Sequence, residues 1–555
     1  MDPSDRSPDF DQASIEPIDL LAALIEIAFG QFMRRVKDLP SLLRLPFEAL
    51  ERRSAFLLKE ALRLLRQSLL EGDNRARPAT RLAARSLALM LRPLRDALQL
   101  FITLGVDDRQ ARDGATLAAL AAVVAIGLLE DNMLPDNFDR VNDVEASTWL
   151  RRHGASKAVL DSSFVRAGYD YPFAYRDGQT APPQRWIAAG TAVRGYLNLV
   201  LTFKGSVFYH FNGATAEVLF TPYYEVLRSL GVRFAFFHRV DALALDASGS
   251  HIEAIYGTRQ AKPRAGRVGY DPLIEYGDRL CWPTEPKFDL LEQGDDMHSW
   301  LSERELNLEA DGFSASCPFV EPFALKHGAD DDDGFTHVLL AVPPLVVERI
   351  AAPLCVANPQ WREAVASAGQ IPTIAVELRG IDPAPSEPRR YPILTANPQP
   401  FGTWADMSFL EDGGGERGDG THLSYLCGAW PVRRPAEGEA WTDFVAREHQ
   451  AARELTEAWV AKNLERVLRE GLGRPEGPIP RIERVDVRLN LSATDGYVLS
   501  PPGSVAKRLD PAICHFGNLH VAGDWTRTGI DAGCYEAALI SGLRAAGAIR
   551  GSRPQ

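Results

Sequence analysis

Residues 518–550 read N-L-H-V-A-G-D-W-T-R-T-G-I-D-A-G-C-Y-E-A-A-L-I-S-G-L-R-A-A-G-A-I-R. A short apolar strand, Leu519 to Ala522, runs into Gly523 and Asp524. A polar turn punctuated by Gly529 and Gly533 follows. A helix of small residues closes the stretch, and Gly542, Ala545, Ala546 and Ala548 predict close packing along it. A strand feeding a helix N-terminus through glycines forms an anion site, because free backbone N–H groups and the helix dipole face the loop. An acidic residue at the strand end suits a sugar or ribityl hydroxyl.

This stretch resembles the C-terminal FAD-closing segment of the flavin amine oxidase and phytoene desaturase superfamily. The likeness extends over roughly residues 140–550. The run V-F-Y-H-F-N-G-A-T-A-E-V-L-F-T-P-Y-Y-E-V-L-R-S-L-G-V-R-F-A-F-F-H-R-V-D-A-L (207–243) is similar to the family's second FAD segment. T-H-V-L-L-A-V-P-P (336–344) resembles the strand that returns the chain to the cofactor domain. T-W-A-D-M-S-F-L (403–410) and Y-V-L-S-P-P-G-S (497–504) fit the same order.

The resemblance implies an α/β fold. Its glutathione-reductase-like FAD/NAD(P)-binding cofactor domain is built from separated segments, with an inserted α+β substrate domain and a helical N-terminal region. The implied boundaries are a disordered leader at 1–16, helices over 17–140, and part of the cap with the second FAD segment over 141–265. The substrate domain then spans 266–480, with a return strand at 336–343 and a long helix at 441–472, and the FAD-closing segment spans 481–555.

The implied cofactor contacts are Gly213, Val240, Gly523, Asp524, Trp525, Thr526, Gly529, Ile530, Asp531, Ala532 and Gly533. On this reading Val240 meets the adenine, residues 530–532 lie under the flavin, and Gly533 opens a helix aimed at the flavin N1 and O2 edge. Two-electron reduction places negative charge on that edge, and oriented N–H groups stabilise it. Trp404, Asp406, Met407 and Tyr425 are candidates for the substrate cavity. Catalytic residues are not signalled, since hydride transfer to a flavin needs no acid–base pair.

The N-terminal half of the dinucleotide signature is missing where the family carries it. There a strand, a G-x-G-x-x-G turn and a helix hold the pyrophosphate. The first hundred residues contain Gly only at Gly30 and Gly72, and neither lies in that pattern. The turn at F-N-G-A-T-A-E is also poorer in glycine than the A-G-M-G-D-like turn of relatives.

The resulting expectation is an FAD-dependent oxidoreductase acting on an amine or unsaturated hydrophobic compound. It would be completed by a partner polypeptide or a missing segment. The alternative is a non-enzymatic interaction or membrane-surface protein that kept a decayed flavoprotein fold.

Composition narrows the classes further. The chain has 555 residues, 45% hydrophobic and 24% charged, within the range of globular proteins. A net charge of −13 argues against general nucleic-acid binding. Residues 34–95 hold fifteen Lys or Arg against six Asp or Glu, so this stretch is +9 and the remainder −22. Apolar residues at helical spacing over 18–39, 56–70 and 81–104 make it a basic amphipathic surface, suited to packing inward or to peripheral contact with an anionic membrane. The six cysteines are scattered without C-x-x-C, which predicts reduced thiols in a cytoplasmic protein and neither a zinc site nor a disulfide framework. The acidic start is unlike a signal peptide, and the uncharged run 114–129 reads as a buried helix.

Overall fold

The computed structural model describes residues 77–104, 108–133, 137–201, 211, 213–264, 270–276, 279–304, 306–309, 317–329, 334–384, 393–410 and 421–551. The expected leader and the helices over 18–39 and 56–70 lie outside the described residues, as does the acidic run 330–333. The chain divides into two compact units. The described part of the first is drawn from residues 77–169, 185–201 and 501–506. The second holds residues 170–184, the described chain from 211 to 500, and 507–551.

The first unit is helical. Arg77–Thr103 runs through Pro93 and buries a stripe of Leu87, Leu91, Leu94, Leu98 and Phe101 at helical spacing. Arg109–Glu130 starts at Asp108, whose carboxylate accepts from the N–H groups of Gln110 and Ala111. It is the one described helix long and apolar enough to cross a membrane, and two thirds of its apolar window is buried inside the protein, as a core helix requires. E-A-S-T-W-L-R-R-H-G (145–154) predicts a helix started by a Ser or Thr cap and stopped at Gly154; the helix is Ala146–Arg152, its cap is the Glu145 carboxylate, and Gly154 takes φ +90°. His153 is buried between two carboxylates, with Nδ1 3.1 Å from Glu130 Oε2 and Nε2 2.9 Å from Asp131 Oδ2.

The second unit mixes sheets and helices. His238–Leu245, Ile252–Arg259 and Glu321–His327 form an antiparallel meander extended by Gly334–Phe335. A five-stranded antiparallel sheet has the order Ile393–Leu394, Thr403–Asp406, Thr421–Ala429, Thr373–Ile381, Arg481–Asn490. The 32-residue helix Trp441–Leu472 covers one face of it, burying Ala452, Trp459, Leu464, Val467 and Leu468 against Ile374, Val376, Leu378, Trp404 and Leu426. Apolar spacing along this helix predicts Leu455 on the buried stripe, but it is 37% exposed, while Glu448 is fully buried. The Glu448 carboxylate accepts from Trp430 Nε1 at 3.0 Å and Arg447 Nη1 at 2.8 Å, which makes its burial tolerable.

The remaining sheet is small. Leu519–Val521 pairs in parallel with Val338–Leu340, and among the described residues no further strand joins them. One face of this pair enters a core with Val347, Leu354, Trp361 and Trp525. The helix Tyr535–Ile549 packs on Leu519–Val521.

Two sequence expectations differ here. The acids and prolines of residues 265–320 predict irregular chain, yet the described part contains the hairpin Ile274–Tyr276 with Arg279–Cys281 and the helix Gly294–Glu303. The run G-V-R-F-A-F-F-H-R-V (231–240) predicts a strand, but the described strand begins only at His238. Residues 231–235 are exposed and carry no ladder. Strand propensity alone does not hold a strand without a hydrogen-bonded neighbour.

Candidate active site

The C-terminal turn is built from strand end to helix start. Gly523 takes φ +129°, and a Cβ there would stand 2.9 Å from the Trp525 ring, so the position needs glycine. Gly523 N–H donates to Ser541 Oγ at 2.7 Å and its carbonyl accepts from Thr526 Oγ1 at 2.7 Å. The Trp525 indole turns into the core and donates to Val342 O. Trp525 and Thr526 are therefore buried supports of the turn, and only their backbone remains for a ligand.

Asp531 is also a builder. It adopts φ +56°, an uncommon conformation for a residue with a side chain. Its Oδ1 accepts from Thr528 N–H at 2.9 Å and Gly529 N–H at 3.2 Å, and its carbonyl accepts from Ser500 Oγ. The carboxylate is 1% exposed, turned into the protein and away from any ligand above the turn. The face left to a ligand is Gly529, Ile530, Ala532 and the helix start. The helix begins at Tyr535 with Cys534 as its cap, two residues later than the sequence suggested for Gly533. Its packed face is Ala537, Ser541 and Ala545; Gly542 meets open space and Ala546 is exposed.

Arg508 ties the turn to the rest of the unit. Its buried guanidinium donates to Asp524 O (2.7 Å), Thr526 O (3.3 Å), Leu499 O (3.2 Å) and Ser500 Oγ (2.8 Å). Burial lowers its pKa while the nearby Asp531 and Asp524 carboxylates oppose that shift. The Asp524 carboxyl is different in kind from that of Asp531. It accepts only from the N–H groups of its own turn, and burial pushes its pKa up to about 6 in spite of Arg508. A half-desolvated carboxylate without a side-chain donor is fitted to accept a hydroxyl of a bound polyol.

A second wall faces the helix start. Within the second unit, Phe173 packs edge-on against Tyr497 with centroids 5.0 Å apart, and Tyr497 OH donates to Gly533 O. Desolvation, with Cys427 and Glu536 close by, raises the Tyr171 hydroxyl pKa. The loop is held by Asp170, which is buried and accepts from Tyr175 OH and from Gln399 Nε2 (2.6 Å). Nothing local in the sequence marks these aromatics, because their convergence on residues 533–536 is a tertiary fact.

The five-stranded sheet sorts the four cavity candidates by strand alternation. Trp404 is 0% exposed and lies against Gly471 of the long helix, so it is a core residue. Asp406 is buried as well, accepting from Ser408 N and Oγ. Thr403, Ala405, Tyr425 and Cys427 share the opposite face, where Tyr425 OH donates to Glu377 Oε2 at 2.6 Å. Met407 is half-buried. Burial pushes the Cys427 and Cys534 thiols up to about 11, so neither is a ready nucleophile. Tyr425 and Met407 thus stay available to a substrate, and Trp404 and Asp406 do not.

The run 207–243, which in sequence resembles a second FAD segment, is described in part. Gly213 sits in a bend before the helix Thr221–Ser229, and Val240 lies at a bulge opposite Gly257. That helix reaches the C-terminal one through Tyr223 OH and Tyr535 OH, 2.9 Å apart. The sequence does hold one literal G-x-G-x-x-G, at 413–418. It joins the antiparallel neighbours Thr403–Asp406 and Thr421–Ala429, and lacks the strand-to-helix setting that makes such a turn bind phosphate.

No curated protein sequence matches the chain. Among solved structures, an oxidoreductase from Methanosarcina mazei is similar at 9% identity and a TM-score of 0.37, over 72% of this chain and 66%, just under two thirds, of its own. Cyclohexylamine oxidase from Brevibacterium oxydans is similar at 12% identity and a TM-score of 0.38, over 77% of this chain and 74% of its own. Both TM-scores are too low to transfer a function. The match of a family model is informative, because it spans the turn, four strands of the five-stranded sheet and the final helix just described: residues 393–550 of this chain match the model of the flavin containing amine oxidoreductase family.

Proposed function

We propose that this chain is an FAD-dependent oxidoreductase that dehydrogenates an amine or an unsaturated hydrophobic compound. The observation that carries the reading is the division of labour in the C-terminal turn. Asp531 and Arg508 build it, while Asp524, Gly529 and the start of the helix Tyr535–Ile549 remain for a ligand. The residues present fit the polyol and ring end of a flavin dinucleotide. They do not supply the glycine cradle for its pyrophosphate.

A bound flavin would supply the two-electron acceptor. Asp524 would accept a polyol hydroxyl and fix the depth of the cofactor. The first-turn N–H groups after Cys534 would stabilise negative charge on the ring edge above them. Tyr171, Phe173 and Tyr497 form an aromatic wall by the helix start. They would exclude water and hold an apolar or cationic group against their faces. The Tyr425–Glu377 pair offers the sheet's polar contact to a substrate nitrogen or hydroxyl.

The test is equilibrium binding of FAD followed by flavin fluorescence. The purified chain is expected to show weak, saturable binding, or none that survives desalting, and Asp524→Ala to weaken binding roughly tenfold. Absence of flavin both in the purified chain and in any complex isolated with it would overturn the reading.

A further inference from the structure

The helix Arg77–Thr103 of the first unit has two apolar sides. One is the stripe of Leu87, Leu91, Leu94, Leu98 and Phe101, which is buried. The other is a row of Leu82, Leu89, Pro93 and Leu100, with Leu104 just past the helix end. Its spacings of seven, four, seven and four residues return to one side of a helix. Leu82, Leu89, Leu100 and Leu104 are 59% to 68% exposed, and Pro93 is exposed with them. Single exposed leucines are ordinary on a protein surface, whereas four in one row mark a contact.

Charge follows the same helix. It holds five arginines against one aspartate, in a chain whose net charge is −13. Arg85 is exposed, and the Arg92 side chain is 48% exposed although it pairs with Glu130 at 2.6 Å. Arg85 stands three residues from Leu82 and four from Leu89, and Arg92 three from Leu89, so both flank the row. The one acid, Asp96, is spent on Arg95 at 2.7 Å. Six charges in 27 residues forbid a bilayer crossing, but a leucine row flanked by arginines suits a helix lying in the plane of an anionic surface.

A protein helix fits this row less well. The positions that would complete a knobs-into-holes seam with it are Ser86, Asp96 and Thr103, and Pro93 lies within it. The exposed leucine surface is on the order of 400 Å², half of the ~800 Å² that one partner contributes to a stable protein interface. A bilayer has no register to match, and it accepts a single line of side chains about 27 Å long, from Leu82 to Leu100. We infer that this row is a peripheral membrane contact: the helix lies along an anionic bilayer with its leucines in the acyl boundary and its exposed arginines against lipid phosphates. The contact is independent of the flavin reading and stands or falls without it.

The test is flotation of the purified full chain with vesicles of phosphatidylglycerol and phosphatidylcholine, beside vesicles of phosphatidylcholine alone. Binding is expected on the anionic vesicles, weaker at physiological than at low salt, with little on the neutral ones. Arg85→Gln should weaken it about fivefold. Leu89→Glu combined with Leu100→Glu should weaken it at least about tenfold, with unchanged melting of the chain. No flotation, equal flotation on both kinds of vesicle, or a double variant that folds and floats like the parent overturns the proposal. A photo-reactive benzophenone side chain at position 89 gives a reading that needs no charge variant to fold. A lipid adduct on the anionic vesicles is the expected product. An adduct to peptide alone, whether residues 1–76 of this chain, a second copy or a co-purified protein, overturns the proposal, as does no adduct.

Discussion

Two sheets of the second unit differ in how they are finished. The five-stranded antiparallel sheet is closed by its own chain. Its central strands Thr373–Ile381 and Thr421–Ala429 are flanked on both sides, and a 32-residue helix seals one face. The parallel pair Leu519–Val521 and Val338–Leu340 packs on the helix Tyr535–Ile549 and into a core with Val347, Leu354 and Trp361, but it has two strands only among the described residues, and Leu339 is exposed. The first sheet holds a buried core against the long helix. The second carries the turn that suits a cofactor, and it leaves apolar surface exposed. Antiparallel neighbours need only short connections, whereas each parallel neighbour needs a crossover.

The contrast can be broken by mutation, beginning where the effect is largest. Trp404→Ala removes a fully buried ring from the closed sheet, and a loss of about 3–5 kcal/mol is expected in denaturant unfolding. A cost below about 1 kcal/mol would mean that this sheet is not the rigid half. Arg508→Met should cost about 2–4 kcal/mol, because it strands three carbonyls and one hydroxyl beneath the turn. The same variant should lower flavin binding; a stable protein with undiminished binding would separate the turn from the ligand.

Asp524→Asn tests the open half by pH. A carboxyl with its pKa raised to about 6 costs stability when ionised and relieves that cost as pH falls from about 6 towards the unfolded value near 3.8. The asparagine variant should therefore be more stable than the parent at pH 7, by on the order of 1 kcal/mol, and equal to it near pH 4. Its flavin binding should nevertheless be weaker. Melting curves across that window decide the matter, and a variant less stable than the parent at pH 7 would show Asp524 to be a fold determinant. The smallest effect belongs to Leu543→Lys, at 66% exposure: within about 0.5 kcal/mol for the lone chain, measured by thermal melting. A larger loss would mean that the helix face is already covered.

Much of this was readable along the chain, and for local reasons. The long helix was expected over 441–472 and is found as Trp441–Leu472, because its stripe and the Gly473 stop are properties of neighbouring residues. The strand–turn–helix order of residues 519–549 was likewise legible from alternation, glycine and small residues. The roles inside the turn were not. Asp524 and Asp531 look alike in sequence, and only the folded turn aims one carboxylate inward at Thr528 and Gly529 and leaves the other without a side-chain donor.

Side-chain facing follows the same division. Period-two alternation separates Trp404 and Asp406 from Ala405, but it does not say which set meets the helix Trp441–Leu472. That choice is made by packing, where the indole fits against Gly471. The aromatic wall of Tyr171, Phe173 and Tyr497 joins residues more than three hundred positions apart, beyond the reach of any local pattern. The run 231–237 marks the limit from the other side: its apolar alternation specifies a strand, but a strand exists only with a partner, and the described residues provide none. Backbone propensity, capping and spacing act over a few residues and were set by the sequence alone. Burial, facing and ladder pairing depend on groups distant along the chain, and the tertiary structure decided them.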